Sequence, residues 1–153
     1  MRALILAAMV ALVAGQVSAL SCMRPDPLAA FAQAAASDDT YYVLYGTLDF
    51  DASKQPQGVQ NAPRDPAPIP AFFRGHGLTT AGFTSRFDAP VTLQISCAGP
   101  WCGQATPHKA AVIFARVSGD QVLVEVGPCG GRVFPEPTRA VRDALTQCMS
   151  GGC

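Results

Sequence analysis

The sequence predicts a mainly β domain: a small closed antiparallel barrel of five to six strands, with one helix before it and one after it. Segments rich in branched and aromatic residues, separated by turn residues, follow one another through the middle of the chain, a pattern typical of antiparallel strands. The first of these segments contains a central glycine, Gly46, which indicates a bend that lets one strand serve two sheets. Closing the sheet removes its exposed edges, so we expect a barrel rather than an open sheet.

Residues 1–19 have the pattern of a cleavable signal peptide, so the domain is predicted to be exported. A positive start at Arg2 is followed by an uncharged apolar run over residues 3–15 and by small and polar residues up to Ala19. The apolar run is too short to cross a bilayer as a permanent helix. Residues 20–153 then form the single mature domain.

The cleavage site has three alternatives. A cut before Leu20 places Val17 and Ala19 at the two small-residue positions and is the preferred one. A cut after Ser21 would instead make Cys22 the new N-terminus. A lipoprotein-type cut before Cys22, with acylation of its thiol, is the third alternative and would anchor the protein to a membrane.

Composition limits the classes of partner. Residues 20–153 carry ten basic and eleven acidic residues, and a net charge of about −1 gives no reason to expect nucleic acid or an anionic membrane surface. No apolar stretch after the leader is long enough to span a membrane. Arginine outnumbers lysine nine to two and alanine is abundant. Together with the leader, this composition indicates a periplasmic or secreted protein from a bacterium with a GC-rich genome.

All six cysteines lie in the mature part, and their even number in an exported chain of this size predicts three disulfides. No CxxC pair occurs and the two histidines are not in ligand spacing, so neither a metal site nor a cofactor is predicted. Trp101-Cys102-Gly103 is similar to the start of a thioredoxin active site but lacks the second cysteine. The six residues are Cys22, Cys97, Cys102, Cys129, Cys148 and Cys153.

The first half of the domain is predicted to contain a helix, a strand and a long connection. Asp26 and Pro27 form a helix start, since an acidic cap followed by proline suits the first turn. Helical spacing then places Leu28, Phe31, Ala32 and Ala35 on one face. A strand follows over residues 41–51. Residues 53–70 contain five prolines and are expected to be a surface loop, or alternatively a semi-rigid arm available to a partner.

Further strands and a final helix complete the pattern. Residues 71–76 and 79–87 predict a hairpin turning at Gly75-His76-Gly77, and residues 88–90 are expected to break the chain before a strand at 91–97. Residues 109–117 and 121–126 predict a second hairpin across Ser118-Gly119-Asp120. Residues 137–148 predict a helix with Val141, Leu145 and Cys148 on one stripe.

The order of these features resembles the netrin-like module, the OB-fold barrel shared by tissue inhibitors of metalloproteinases. The resemblance covers most of the mature chain and is one of order and spacing. Two positions depart from it: Arg24 and Ala32 stand where a tissue inhibitor carries cysteines. The features that carry it are Cys22, residues 27–31 on a short helix, Gly46, Cys102-Gly103 before residues 112–114, and residues 122–126 leading to Cys129.

The resemblance also implies part of the disulfide pattern. It pairs Cys22 with Cys102 or Cys129, fastening the N-terminal segment across the barrel. The remaining cysteines must pair differently from the family, with Cys97–Cys102 or Cys148–Cys153 as local alternatives. The full connectivity stays open at this level.

Three functional hypotheses follow. The sequence has no nucleophile elbow, HExxH or glycine-rich phosphate loop, so the preferred hypothesis is a non-enzymatic binding module whose ligand is another protein. The first alternative, implied by the resemblance, is a metalloproteinase-type inhibitor that places the amino group and carbonyl of an N-terminal Cys22 on the target's zinc, with residues 53–70 extending the contact. The second alternative is a small periplasmic enzyme of unknown type.

Two more residues are candidates for binding, and four carboxylates for catalysis. His76 lies between two glycines, where we expect an exposed hairpin tip. Trp101 is expected to pack over a disulfide as a core plug, or alternatively to be an exposed anchor for a partner. Carboxylate pairs can serve as acid and base, although residues of this kind are more often turn formers and solvated strand ends. The four carboxylates are Asp38, Asp39, Asp49 and Asp51.

Overall fold

The computed structural model describes residues 21–153, and the predicted signal peptide lies outside these residues. The described part is mainly β, with a helix at each end, as predicted. Its elements are α1 (Pro27–Ala35), β1 (Thr40–Phe50), a 3-10 turn (Ala52–Lys54), β2 (Ile69–Thr79), β3 (Gly82–Ile95), β4 (Cys97–Ala98), β5 (Trp101–Cys102), β6 (Ala111–Ser118), β7 (Gln121–Val126), β8 (Val133–Pro135) and α2 (Arg139–Met149).

Six strands form one sheet in the order β1-β2-β3-β7-β6-β8, and β1 also pairs with β6. The β3–β7 pair is parallel over residues 92–95, and the other pairs are antiparallel. The first part of β1, residues 40–46, pairs with β6, and residues 44–50 pair with β2. One long strand therefore serves two neighbours of a single sheet, whereas the central glycine predicts a strand shared by two sheets. β4 and β5 form a separate two-stranded hairpin.

Gly46 is the residue that allows β1 to change neighbours. It lies opposite Gly75 of β2 and opposite Ala111 of β6. A Cβ atom on Gly46 would lie 2.1 Å from the backbone oxygen of Arg74, and one on Gly75 would lie 2.3 Å from the backbone oxygen of Tyr45. The two strands thus approach each other more closely than a side chain at either glycine would permit.

The strands separate two apolar clusters. The inner cluster is built from the inward residues of β1, β2, β3, β6 and β7, with Phe73, Leu93 and Ile113 fully buried. The outer cluster lies between the sheet and the two helices and includes Phe114, Phe134 and Leu145. β6 supplies both clusters, because alternate residues of a strand point to opposite faces.

The predicted start of α1 is confirmed, but of its predicted apolar face only Phe31 packs against the core. Asp26 caps the helix by accepting a hydrogen bond from the backbone N–H of Leu28 at 2.9 Å, and Pro27 occupies the first turn. The residues packed on the outer cluster are Ala30, Phe31 and Ala34, whereas Leu28 is exposed. The faces of an alanine-rich helix differ little in hydrophobicity, so its contacts with α2 and β6 determine which face is turned toward the core.

Two predictions about β2 and β3 are also wrong. The hairpin does not turn at Gly75-His76-Gly77: β2 continues to Thr79, and the connection to β3 is residues 80–81. The expected break at residues 88–90 does not occur either, since Pro90 lies within β3 opposite Phe72. Proline, which has no N–H to donate, is tolerated there because the pairing of β3 with β7 begins only at Thr92, so no strand on that side requires a donor at this position.

The end of the chain follows the prediction more closely. The β6–β7 hairpin turns at Gly119 with φ +57°, the left-handed conformation that favours glycine. α2 is capped by Thr138 and buries Leu145 and Cys148 on the predicted stripe. Within residues 21–153, no helix is long and apolar enough to cross a membrane.

Three disulfides staple the domain. Cys22 is bonded to Cys129, the second of the two alternatives that the resemblance implies. The other two bonds are both local, Cys97–Cys102 and Cys148–Cys153. The first bond joins positions 107 residues apart and fixes the segment before α1 to the end of β7, whereas each local bond closes a span of 5 residues.

Candidate functional site

The β4–β5 hairpin is a rigid platform that carries Trp101. Cys97 and Cys102 lie directly opposite each other on the two strands and are joined by a disulfide. The turn between them contains Gly99 in the left-handed region, with φ +58°. At its base, the backbone N–H of Gly103 donates to the oxygen of Ser96 at 3.0 Å.

The hairpin is also fixed to the end of β7. The backbone N–H of Ser96 donates to the oxygen of Val126 at 3.0 Å. A Cβ atom on Gly103 would lie 2.2 Å from that same oxygen, so only glycine permits this approach. The hairpin therefore has little freedom to move relative to the sheet.

The proline-rich connection between β1 and β2 packs against this hairpin. The backbone N–H of Cys97 donates to the oxygen of Arg64 at 2.9 Å, and the backbone N–H of Ala105 donates to the Gln55 side-chain oxygen at 2.9 Å. Gly58 approaches Pro100 so closely that a Cβ atom on it would lie 2.4 Å from the Pro100 oxygen. The connection is thus held at three points along its length.

We call the outer side of these two segments, residues 55–63 and 97–103, the Trp101 surface. Trp101 is 43% exposed and Val59 is 54% exposed. The expectation that Trp101 is a core plug is therefore wrong, and the alternative, an exposed aromatic residue, describes its position. Neither segment contains a charged residue. The surface is neutral, partly apolar and held by backbone contacts.

An arrangement of this kind is suited to recognition. Tryptophan is enriched among the residues that dominate the binding energy of protein interfaces, and charged residues are depleted from the centre of such interfaces. Because the two segments are already ordered by the disulfide and the backbone hydrogen bonds, little conformational entropy is lost when a partner binds.

Cys22 lies in the segment before α1, and its sulfur is bonded to that of Cys129. A sulfur in a disulfide cannot also carry a lipid, so acylation of Cys22 is incompatible with this bond. Met23, the next residue, is 90% exposed. Residues 21–26 line a groove of about 400 Å³ together with part of α1 and the loop at residues 129–131.

His76 is placed by the structure in the middle of β2, opposite Tyr45 of β1 and Arg86 of β3. Its side chain is exposed, as expected, but it lies on a strand surface and not at a hairpin tip. Among residues 21–153, no side-chain hydrogen bond or ion pair joins His76 to Cys22 or to Trp101. It belongs to a separate groove beside α2.

The four carboxylates do not come together. Asp38 and Asp39 precede β1, and Asp49 and Asp51 lie at its other end, so a strand of 11 residues, roughly 35 Å long, separates the two groups. Asp51 caps the 3-10 turn, and hydrogen bonds from the hydroxyl and the backbone N–H of Ser53 lower its pKa. Asp49 lies 3.4 Å from Arg74 and 3.8 Å from His108. These are the roles of turn formers and exposed strand ends.

Sequence reasoning missed Val59 and Gly58 as parts of the site. The signal was present, since a glycine followed by an isolated valine interrupts an otherwise polar and proline-rich segment. What the sequence does not reveal is that this segment packs against the β4–β5 hairpin, about forty residues further along the chain.

Comparison of the chain with protein-family models, with curated proteins and with solved structures found no match. Functional inference therefore depends on the geometry of the chain itself.

Proposed function

We propose that this protein is an exported, non-enzymatic binding module that recognises another protein through the Trp101 surface. The observation that carries the proposal is the 43% exposure of a tryptophan on a hairpin closed by the Cys97–Cys102 disulfide. An exposed tryptophan on a mobile loop would be weak support. Here the backbone around it is fixed to Val126 and to Arg64 by hydrogen bonds.

The framework that we propose is an OB-type barrel of the netrin-like kind. In its support, pairing runs from β1 through β2, β3, β7 and β6 and returns to β1. Two terminal helices packed on one outer side and the Cys22–Cys129 bond agree with the resemblance. Three disulfides in one small domain suit an oxidising compartment, the periplasm or the exterior of a bacterium.

The test uses a photo-crosslinking amino acid in place of Val59, in the protein purified under non-reducing conditions and mixed with the periplasmic and secreted fractions of its source. We expect a discrete cross-linked species that excess unlabelled protein abolishes. Unlabelled Trp101→Ala should compete at least about 30-fold less well, since a central tryptophan contributes about 2 kcal/mol or more.

Met149→Ala is the matched control, because Met149 is 44% exposed and lies at the end of α2. It should compete as well as the unmodified protein. Equal competition by Trp101→Ala would contradict the assignment of the surface, and the absence of any discrete species would contradict a protein partner. Trp101 is the only tryptophan, so its fluorescence also reports partner binding directly.

A metalloproteinase-type inhibitor is the second candidate, and the exposure of Met23 beside the pinned Cys22 favours it. Such an inhibitor requires a free amino group on Cys22. Protein that starts at Cys22 should therefore inhibit a zinc metalloproteinase, and a variant with one alanine added before Cys22 should not. Equal activity of the two forms, or a mature N-terminus at Leu20, would exclude this mechanism.

A further inference from the structure

A second groove lies between α2 and the outer surface of β1, β2 and β3. Its volume is about 300 Å³. Its floor is aromatic: the rings of Tyr45 and Phe83 meet edge to face, with centroids 5.6 Å apart. The lining residues are Tyr45, His76, Gly82, Phe83, Arg139, Arg142, Asp143 and Thr146.

Arg142 is the unusual member of this lining. Its guanidinium carbon lies 4.5 Å from the centre of the Tyr45 ring, and the residue is half-buried. Among residues 21–153, its guanidinium has neither a hydrogen-bond acceptor nor a carboxylate within ion-pair distance. Arg116, by comparison, donates to Glu125 from two nitrogens. No nitrogen of Arg142 is both buried and unpaired, so its N–H groups are accessible, and a bound anion would accept charge-assisted hydrogen bonds from them.

The charges around Arg142 favour the same kind of ligand. Asp143 is the only acidic residue of the lining, and its carboxylate lies 3.7 Å from the nitrogen of Arg139. Two arginines therefore face the groove against one carboxylate, and that carboxylate already has Arg139 as its partner. The guanidinium carbon of Arg142 lies over the Tyr45 ring, and no residue among 21–153 accepts a hydrogen bond from its N–H groups, so these groups remain available for the paired hydrogen bonds that a planar carboxylate accepts.

We propose that this groove is a binding site for a carboxylate attached to an aromatic or apolar group, with Arg142 as its main donor. The carboxylate would bind the edge of the guanidinium, and the apolar group would contact Phe83 and Tyr45. The source is either a free organic acid or the C-terminus of a peptide, since both present the same chemistry. The site is separate from the Trp101 surface and does not depend on the function proposed for it.

The experiment is an NMR titration of ¹⁵N-labelled, disulfide-bonded protein with benzoate, benzamide and sulfate. We expect saturable shifts of the Gly82 and Phe83 amides and of the Arg142 side-chain N–H with benzoate. Benzamide has the same shape without the charge, and sulfate has the charge without the planar shape, so both should bind at least tenfold more weakly. A peptide ending in phenylalanine, with its C-terminus free or amidated, distinguishes a peptide from a free acid.

Arg142→Gln should weaken benzoate binding at least about tenfold, because hydrogen bonds to a charged group contribute about 1.5–3 kcal/mol. Arg74→Gln, at an exposed arginine outside this lining, is the control and should change the affinity less than threefold. Should Arg142→Gln fail to fold, Arg142→Lys keeps the charge, loses the paired geometry and is also expected to bind more weakly. Equal binding of benzamide or sulfate, unchanged binding by the Arg142 variants, or no saturable shift would overturn the proposal.

Discussion

The close crossing of β1 and β2 at Gly46 makes a strong prediction about stability. In Gly46→Ala, the new methyl group would lie 2.1 Å from the Arg74 oxygen and 2.7 Å from the Phe73 ring, against an ordinary separation of about 3.5 Å. The strands must therefore move apart by more than an ångström. Overpacking costs about 1–3 kcal/mol, and each backbone hydrogen bond weakened at the crossing adds about 1 kcal/mol.

We expect Gly46→Ala to lower the free energy of unfolding by about 4 kcal/mol. Urea unfolding with the disulfides intact measures this value, provided that the m-value is unchanged. Gly77→Ala is the control, since a Cβ atom there has its nearest neighbours at 3.7–3.8 Å. Removing a glycine from a strand without a clash should raise stability by about 0.5 kcal/mol. If Gly46→Ala loses less than about 1 kcal/mol, the close crossing is wrong.

Two further predictions concern the disulfides and the response to acid. Replacing both Cys22 and Cys129 by serine should lower the free energy of unfolding by about 4–5 kcal/mol, and replacing Cys148 and Cys153 should lower it by about 2 kcal/mol. The first bond contributes more because it closes a much longer loop in the unfolded chain. The reverse order in urea unfolding would refute this. Hydrogen bonds from its neighbours lower the pKa of Asp51 from 3.8, so its stabilising contribution is present above pH 3.8 and is lost as the pH falls through the lower folded value. The stability difference between the protein and Asp51→Asn should therefore shrink in acid, and a difference independent of pH would count against this role.

The candidate site shows where prediction from the sequence stops. The sequence singles out Trp101, but its exposure follows from the position of the β4–β5 hairpin outside the main sheet, which no local pattern indicates. The two glycines that flank His76 predict a turn at this position. One of these glycines, Gly75, is instead required by the close approach of β1, which leaves no space for a side chain there. Glycine at this position therefore marks a close contact between strands and not a turn.

The sequence by itself determined the local features of this protein: the cap at Asp26, the β6–β7 turn at Gly119, and the last helix with Leu145 and Cys148 on its buried stripe. These depend on hydrogen bonds and steric limits within a few residues, so neighbouring amino acids are sufficient to specify them. The tertiary structure decided the features that join distant parts of the chain, including the Cys22–Cys129 bond and the parallel pairing of β3 with β7. It also decided which face of α1 is buried and which apolar side chains remain exposed, because these depend on how surfaces far apart in sequence fit together.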